Sequence, residues 1–278
     1  MGVLHSLTPL GKPGFFRLWR RRRALGRLAF LAGVSRAVVE KASAYLPAER
    51  TGVAPNFLSS RVLEEAGRLA SEKPALRKRL GIPRDALVGI CMGPLSAFKG
   101  QEILLELLPR VARAFPRFLL LLVGGDKRGL APGFQERARS AGVGDALRWT
   151  GWSGEPLAWL AAADLLLLPG GPEGFSRVAL EGMAAGMPLV AFRHGGVPEL
   201  AREGEAGLFA EPGDLEGFAR AWTALLGDEN ARREMGARAR KRAEEFVPEK
   251  TLESLYGAYE AALTGRPALP GPREPGQP

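Results

Sequence analysis

The chain has 278 residues, 46% of them hydrophobic, with a net charge of +9 and one cysteine. This length predicts a single domain of about 200 residues with additional segments, while the lone Cys91 excludes an intrachain disulfide and favours a reducing, cytoplasmic compartment. No apolar run reaches about 18 residues, and the N-terminal arginines follow the apolar patch, so the sequence predicts neither a membrane-spanning nor a secreted protein.

The positive charge is concentrated near the N-terminus. Residues 1–50 hold ten Lys or Arg and two Glu, which gives +8 of the total of +9. Residues 15–45 combine the cluster Arg20–Arg23 with apolar residues such as Trp19 and Phe30 at roughly helical spacing, so we predict a basic amphipathic helix. Three interpretations stay open: a solvated basic face on a helix packed against protein, a helix on an anionic membrane surface, or a nucleic-acid contact. No signature of a nucleic-acid-binding fold accompanies the segment, which argues against the third.

The middle of the chain alternates between two patterns. Short apolar runs, typical of strands covered on both faces, lie at 86–93, 118–125, 147–151, 164–170 and 187–192. Segments of helical periodicity separate them, at 100–115, 133–142, 155–163 and after Pro172, and Pro109 is expected to kink the first of these or end it early. This alternation predicts an α/β fold with a Rossmann-like, doubly wound parallel sheet that binds ligands at the carboxyl ends of its strands.

The C-terminal part predicts three more helices, at 214–226, 229–246 and 251–265. The last of them carries Leu255, Tyr256 and Tyr259, which need a packing partner. Residues 266–278 are rich in proline and glycine and are predicted to be disordered.

The segment PEGFSRVALEGMAAGMPLVAF, which starts at Pro172, carries two glutamates eight residues apart. Glu173 lies in a glycine-rich loop, and Glu181 lies about one and a half turns inside a helix that is expected to begin near Phe175 or Ser176. A helix N-terminus favours phosphate, and a carboxylate can accept from two vicinal hydroxyls, so the pair fits a nucleotide carrying a sugar. The structural alternative is that Glu173 favours the helix dipole, while Glu181 faces solvent or pairs with Arg177.

This segment resembles the E-x7-E signature of the group 1 (family 4) retaining glycosyltransferases of the GT-B fold. Other pieces resemble that family in the same order: VSRAVV, APN, LGIPRDALVGICMGPLSAFKG, VGGD, LRWTGW, AAADLLLLPG, GGVPEL and EAGLFAEPGD. The resemblance covers about residues 34–262. It implies that residues 61–265 are a Rossmann-like nucleotide-sugar-binding domain, the C-terminal half of a GT-B fold. Residues 1–60 would be a basic helical remnant of, or link to, the acceptor domain, and residues 266–278 a disordered tail.

The resemblance also implies roles for single residues. Lys99 would bind the donor diphosphate, Glu181 the ribose hydroxyls, and Glu173, as the catalytic glutamate, hydroxyls of the transferred sugar. Backbone groups facing the sugar and phosphates would come from Gly174, Phe175 and Ser176, and the base would lie beside Gly151 and Trp152. The family needs no bound metal and no cofactor besides its substrate, a UDP-, GDP- or ADP-sugar, and this chain has no D-x-D pair.

The chain departs from the family's pattern at three positions, one of which is Gly170, where the family often has serine. The family has an arginine directly after the glycine that ends the first strand of this domain, whereas here Gly93 is followed by Pro94. Arg193 or His194 could compensate from a later loop, or could be plain surface residues. Ser176 replaces the last glycine of the family's EGFG element, which keeps the character of a helix N-terminus.

The function implied is metal-independent transfer of a sugar from a nucleotide sugar to an acceptor with retention of anomeric configuration. Most of the family's acceptor domain is missing from this sequence. Three interpretations follow: a truncated chain, one chain of a two-chain enzyme whose acceptor domain is a separate polypeptide, or a non-catalytic nucleotide-sugar-binding module. A dinucleotide-binding oxidoreductase is disfavoured, because no predicted strand opens into G-x-G-x-x-G.

Overall fold

The computed structural model describes residues 2–4, 28, 30–43, 46–47 and 50–264. These residues form nine strands, which belong to two sheets. In chain order they are β1 (Gly2–Leu4), β2 (Leu31–Gly33), β3 (Thr51–Val53), β4 (Leu87–Met92), β5 (Phe118–Val123), β6 (Leu147–Gly151), β7 (Leu165–Leu168), β8 (Leu189–Phe192) and β9 (Gly207–Ala210).

The larger sheet has six parallel strands in the order β6-β5-β4-β7-β8-β9. It confirms the predicted α/β fold, and it contains all five strands that the apolar runs predicted. The sixth strand, β9, is an addition at one edge. From β4 the chain first builds outward through β5 and β6, and then returns to add β7, β8 and β9 on the other side.

The helices lie around these strands. In chain order they are α1 (Arg36–Ser43), α2 (Ser60–Ser71), α3 (Lys73–Arg79), α4 (Gln101–Ala114), α5 (Ala131–Ser140), α6 (Pro156–Ala162), α7 (Arg177–Ala184), α8 (Val197–Ala201), α9 (Leu215–Gly227), α10 (Glu229–Ala243) and α11 (Pro248–Thr264). The expectation that Pro109 would end its helix early is wrong, because α4 continues through Pro109 to Ala114.

The continuous apolarity of the strands follows from a core on each face of the sheet. In β5, Leu119 and Leu121 belong to one apolar cluster, and Leu120 and Leu122 belong to the other. Successive side chains of a strand point to opposite faces, so both sets must be apolar when helices cover both. The helices α2, α6, α7 and α10 cover the first face, and α4, α5 and α9 cover the second.

The smaller sheet has three parallel strands in the order β1-β2-β3. These strands of three residues each lie within the predicted helical segment 1–60, and they are too short for a periodic pattern to reveal. The basic helix predicted around Arg20–Arg23 lies outside the described residues, as does the predicted disordered tail 266–278.

Helix α11 returns to this smaller sheet. Leu255 packs against a cluster formed by Phe30, Ala32 and Ala54, so it has the partner that the sequence required. Phe30 is only 1% exposed, so its ring is not free to enter a lipid surface. Within the described ranges, no helix has both the length and the apolar character to cross a bilayer.

A partly buried charge cluster lies at the amino end of β7. The Asp164 carboxylate accepts hydrogen bonds from Lys73 Nζ at 2.6 Å, from Arg77 Nη2 at 2.8 Å and from the Val88 backbone N–H at 2.7 Å. Burial raises the pKa of Asp164, but the charges of Lys73 and Arg77 together with these hydrogen bonds outweigh it and hold the pKa below its ordinary value. The cluster fastens α3 to the end of the sheet opposite the carboxyl edge.

Candidate functional site

Strands β4 and β7 are neighbours, yet the strands that follow them in the chain lie on opposite sides, β5 next to β4 and β8 next to β7. In an open parallel sheet such a switch leaves a crevice at the carboxyl ends of the strands. The loop after β4 carries Lys99, and the loop after β7 carries Glu173. Strand order therefore brings these two side chains to one place.

Glycines let the two loops touch. Gly100 has a φ of 68°, and a Cβ there would lie 2.4 Å from the carbonyl oxygen of Pro169. A Cβ on Gly170 would lie 2.8 Å from the carbonyl oxygen of Phe98. The Gly171 N–H donates to that same Phe98 oxygen at 2.7 Å. Since side chains at Gly100 and Gly170 would meet backbone atoms, this contact requires glycine at both positions.

Lys99 and Glu173 form an ion pair between Nζ and Oε1 at this contact. Their side chains are 24% and 21% exposed, so the pair is partly shielded from water. Both residues line a cavity at the switch point, together with Ser176 and His194. Three of its apolar wall residues are Met92, Leu168 and Val197. Of the sequence-predicted side chains, the structure thus gathers Lys99, Glu173, Ser176 and His194 in one cavity.

Helix α7 begins at this cavity. Ser176 occupies its N-cap position and is 1% exposed, but its side chain makes no capping hydrogen bond. Phe175 packs edge-on against Phe246, with ring centroids 5.4 Å apart, so its side chain points into the core. Gly174 is also buried, and a Cβ on the facing Gly196 would lie 2.1 Å from its carbonyl oxygen. The first N–H groups of α7 therefore stand beside the cavity without a side-chain cap.

Glu181 lies inside α7 and has an arginine partner. Arg177 Nε donates to its Oε1 at 2.9 Å. The side chain of Glu181 is 14% exposed and that of Arg177 is 75% exposed. The pairing that the sequence offered as a structural alternative is thus present, and it holds the carboxylate near the start of the helix. Glu181 is not among the residues that line the cavity.

Gly151 and Trp152 lie at the same edge of the sheet, two strands away from β4. Gly151 ends β6 with a φ of 74°, and its carbonyl oxygen accepts from the Gly124 N–H at 2.9 Å. Trp152 is 80% exposed. A ligand that reaches both this turn and the cavity has to extend along the carboxyl edge from β6 to β7.

Arg193 and His194, the two residues that could compensate for Pro94, both lie in the loop after β8, but their side chains have different surroundings. Arg193 pairs with Glu203 and Glu211, and it is not among the residues that line the cavity. His194 lines the cavity instead, and its Nδ1 is buried with no hydrogen-bond partner in the described part of the chain.

Glu199 is a residue of this region whose role the sequence did not reveal. Its carboxylate accepts hydrogen bonds from the backbone N–H groups of Arg36 at 2.8 Å and Ala37 at 3.0 Å, at the N-terminus of α1. In the same loop the Gly196 N–H donates to the Glu173 carbonyl oxygen at 2.9 Å. The loop thus joins the N-terminal part of the chain to the Glu173 loop. A glutamate in the first turn of a five-residue helix gives no sequence signal for a partner 163 residues away.

Cys91 also lines the cavity, but its thiol is unreactive. Burial raises the pKa of its thiol to about 12, so the thiol stays protonated at neutral pH. No group of three or more His, Cys, Asp or Glu side chains that could share a metal ion occurs among the described residues. The expectation that no metal is needed stays a prediction.

Solved structures of similar fold include glycosyltransferases. HepE from Anabaena in complex with UDP superposes with a TM-score of 0.82 at 23% identity, over 93% of this chain and 71% of that one. A glycosyltransferase from Rickettsia africae superposes with a TM-score of 0.80 at 17% identity, over 94% of this chain and 70% of that one. At these identities the likeness shows the fold alone.

Sequence relatives are more similar but longer. A D-inositol 3-phosphate glycosyltransferase from Streptomyces griseus is 34% identical over 207 residues, covering 71% of this chain and 44% of the relative. The lipopolysaccharide core biosynthesis glycosyltransferase LpsE from Rhizobium meliloti is 33% identical over 191 residues, covering 69% of this chain and 54% of the relative. The chain thus spans about half the length of these curated relatives.

The model of one protein family, described as glycosyl transferases group 1, matches residues 72–242. This range is more than half of the chain, and it contains Lys99, Glu173, Ser176, Glu181 and His194. The chain therefore belongs to the group 1 glycosyl transferases.

Proposed function

We propose that this chain is the donor-binding part of a retaining glycosyltransferase. It binds a nucleotide sugar along the carboxyl edge of the six-stranded sheet and transfers the sugar to an acceptor with retention of anomeric configuration. No metal takes part, and the nucleotide sugar is the substrate rather than a resident cofactor. A separate acceptor-domain polypeptide, or a further part of the same protein, holds the acceptor.

The observation that carries this proposal is the meeting of Lys99 and Glu173 at the switch point of the sheet. The switch point is where open parallel sheets bind nucleotides. An ammonium suits phosphate charge, and a carboxylate suits the hydroxyls of a sugar. Membership of the group 1 family and the likeness of fold to HepE, which was solved with UDP, support the same ligand class.

We assign a role to each residue from the family resemblance, and the order of the residues along the edge is compatible with these roles. The base lies beside Gly151 and Trp152, and the ribose meets Glu181. The diphosphate meets Lys99 and the N-terminus of α7, where uncapped N–H groups and the helix dipole favour anions. The transferred sugar then lies against Glu173, which makes this residue the one closest to the chemistry.

Transfer with retention needs no side chain as a base in this arrangement. The acceptor hydroxyl attacks the face of the sugar from which the diphosphate leaves, and its proton passes to the departing phosphate oxygen. Lys99 and the helix N-terminus stabilise the negative charge that grows on that leaving group. Glu173 holds the sugar in position for the step.

Calorimetric titration of the purified chain with UDP, GDP, ADP and their glucose conjugates, without added metal, tests the donor site. We expect one of the three nucleoside diphosphates to bind with micromolar affinity. We expect its glucose conjugate to bind more tightly than the bare diphosphate. Release of diphosphate from the conjugate in water, followed over hours, tests for group transfer to solvent. Absence of binding for all six ligands would overturn the proposal.

Arg177, the ion-pair partner of Glu181, provides a matched control for the proposed contact between Glu181 and the ribose. Glu181→Ala should weaken binding of the ribonucleotide by about tenfold but should leave binding of its 2′,3′-dideoxy analogue, which lacks both hydroxyls, nearly unchanged. Arg177→Met removes the partner and keeps the carboxylate, so it should change either affinity by less than about threefold. Equal losses for the two nucleotides in Glu181→Ala would contradict the assignment.

A non-catalytic nucleotide-sugar-binding module is the second candidate, because Pro94 follows Gly93 at the position where the family has an arginine. It predicts nucleotide binding with no release of diphosphate under any condition. Addition of a separately expressed acceptor domain from the same source distinguishes a non-catalytic module from one chain of a two-chain enzyme. Only the two-chain enzyme should then release diphosphate.

From the basic charge around residues 15–45 we propose a cytoplasmic protein that contacts an anionic membrane surface rather than nucleic acid. The support is the charge of residues 1–50, which carry +8 of the total of +9. The arginine cluster lies outside the described residues. Flotation with liposomes with and without anionic lipid tests this proposal, and equal recovery from both would refute it.

A further inference from the structure

Helix α8 is tied to the N-terminal part of the chain by the side chain of Glu199. Its carboxylate accepts from the Arg36 N–H at 2.8 Å and from the Ala37 N–H at 3.0 Å. The next N–H group of α1, that of Val38, lies 3.1 Å from the carbonyl oxygen of Ser35 and 3.3 Å from its Oγ. The first turn of α1 is therefore capped by α8 as well as by its own segment.

Ser35, which precedes α1, packs against the loop that leads into α8. It is 1% exposed, and a Cβ on Gly196 would lie 3.0 Å from its Cβ. The same Cβ would lie 2.1 Å from the Gly174 carbonyl oxygen. The Gly196 N–H donates to the Glu173 carbonyl oxygen at 2.9 Å. Gly196 is thus enclosed between the start of α1 and the backbone of the loop that carries Glu173.

The backbone of α8 has a separate anchor on α10. Arg242 donates to the Glu199 carbonyl oxygen at 2.9 Å and to the Leu200 carbonyl oxygen at 3.1 Å. The Arg242 side chain is 8% exposed, and its guanidinium lies 4.8 Å from the ring centroid of Phe246. Because α8 is held in this way, the carboxylate of Glu199 serves to fix α1 rather than α8.

Glu173 stands at the cavity end of these contacts. Its backbone oxygen accepts from Gly196, and its carboxylate pairs with Lys99 in the cavity. A side chain moves with its own backbone, so a displacement of Gly196 moves the carboxylate as well. A shift of α1 therefore reaches the cavity through packed, hydrogen-bonded groups that are all identified.

We propose that Glu199 is a positioning residue for Glu173. By fixing α1 against Gly196, it holds the Glu173 carboxylate where the sugar of the donor meets it, and it makes that position depend on the N-terminal part of the chain. The inference rests on the proposed function and deepens it, since it gives the N-terminal part a role in distinguishing a nucleotide sugar from the bare nucleotide.

The affinity ratio between UDP-glucose and UDP measures how well Glu173 is placed. We expect Glu199→Ala to lower this ratio about fivefold and to change the affinity for UDP by less than about twofold. Glu199→Gln keeps an oxygen acceptor for α1, so its ratio should stay within about twofold of wild type. Calorimetry with the full chain gives both constants, and GDP or ADP with its glucose conjugate replaces these ligands if the chain selects another base.

Arg36→Pro tests the same link from the side of α1. It removes one of the two N–H groups that Glu199 accepts, and proline is suited to the first position of a helix. We expect it to lower the ratio about twofold with Glu199 intact. Thermal melting confirms that each variant folds, and Arg36→Pro decides the test if Glu199→Ala does not.

A double-mutant cycle distinguishes positioning from a general loss of stability. Glu173→Gln changes the carboxylate but keeps the backbone oxygen that Gly196 binds. If Glu199 acts through the Glu173 carboxylate, adding Glu199→Ala to this variant should change the ratio by less than about twofold. A further fivefold loss in the double variant, relative to Glu173→Gln alone, would show that the two residues act independently and would overturn the proposal.

Hydrogen exchange follows the same contact without any ligand. The Gly196 amide should exchange about threefold faster in Glu199→Ala, because its bond to the Glu173 oxygen loses the support of α1. Glu205→Ala is the matched control, since Glu205 pairs with Arg202 and not with α1. It should leave both the Gly196 amide and the affinity ratio as in wild type.

The outcomes separate this inference from the proposed function. A lower ratio together with faster exchange at Gly196 supports the positioning role. If the wild-type chain binds both ligands but Glu199→Ala leaves the ratio or the Gly196 amide unchanged, this inference alone is overturned. Equal weakening of UDP and UDP-glucose also overturns it. If the wild-type chain binds no nucleotide, the proposed function fails whatever the exchange at Gly196, and this inference fails with it.

Discussion

The ammonium group of Lys99 and the carboxylate of Glu173 pair with each other at the switch point of the sheet, although 74 residues separate them in the chain. This contact engages one N–H of Lys99 and one carboxylate oxygen of Glu173, and it balances their charges. A donor that uses both residues therefore competes with the ion pair.

Glu173→Gln should release Lys99 for phosphate. We expect UDP to bind about threefold more tightly, since a partly exposed ion pair is worth at most about 1 kcal/mol, while the preference for UDP-glucose over UDP falls. Lys99→Met should weaken both ligands. Titration of both variants with the two ligands checks this, and weaker UDP binding by Glu173→Gln would contradict the competition.

Gly100→Ala should disturb the contact between the two loops. A Cβ at Gly100 would lie 2.4 Å from a backbone oxygen, whereas a Cβ at Gly81 would meet no atom within 4 Å, although the two residues have similar φ angles of 68° and 64°. Gly81→Ala thus carries the backbone strain alone, about 1 kcal/mol. We expect Gly100→Ala to unfold at lower urea concentration than Gly81→Ala and to lose UDP affinity. Similar behaviour of the two variants would refute the close-approach argument.

Asp164 should make the free energy of unfolding depend on pH in the acidic range. Burial acts to raise its pKa, but the nearby charges of Lys73 and Arg77 hold it below the ordinary value, so the ionised form stabilises the fold. This contribution is fully present above the unfolded pKa of about 4 and is lost as pH falls through the lower folded pKa. Asp164→Asn should cost about 3 kcal/mol at pH 7, because it removes the charge that balances the buried Arg77 and the partly buried Lys73.

Urea unfolding of wild type and Asp164→Asn between pH 7 and pH 3 measures this dependence. The difference between their free energies of unfolding should become smaller below about pH 4. Asp85→Asn is the control, since Asp85 pairs with Arg117 at the surface, with side chains 64% and 73% exposed. A constant difference across the pH range would show that the Asp164 carboxylate itself is not responsible.

Glu199→Ala should loosen α1 without unfolding the six-stranded sheet. The variant removes the acceptor of the Arg36 and Ala37 N–H groups, which costs about 1 kcal/mol at a helix N-terminus. Hydrogen exchange should quicken in residues 36–43 and stay unchanged in β4 and β5. Glu205→Ala, which removes only an ion pair with Arg202, should leave exchange in both regions as in wild type. Uniform acceleration across the chain would contradict a local role for Glu199.

The sequence predicted the sheet well because its strands are buried on both faces. A continuous run such as FLLLLV at 118–123 is recognisable without tertiary information, and alternating runs and helices suffice to predict parallel strands. It missed β1, β2 and β3, because three residues are too few to show a period. It offered the pairing of Glu181 with Arg177 as one structural alternative, since that pair obeys a local i,i+4 rule.

What the sequence by itself determined is therefore local: the strands of the large sheet, the helices with their apolar faces, and the two glutamates around the start of α7. Only the tertiary structure decided which distant groups meet. It paired Lys99 with Glu173 and turned Arg193 away toward Glu203 and Glu211. It also brought Ser176 and His194 to one cavity, where the Ser176 Oγ and His194 Nδ1 atoms have no hydrogen-bond partner among the described residues. The reason is that the chain has many residues of each charge, and a side chain pairs with the one that the fold brings near it. Strand order and the close approach of the glycine loops determine which residues come near each other. No periodic pattern in the sequence indicates this.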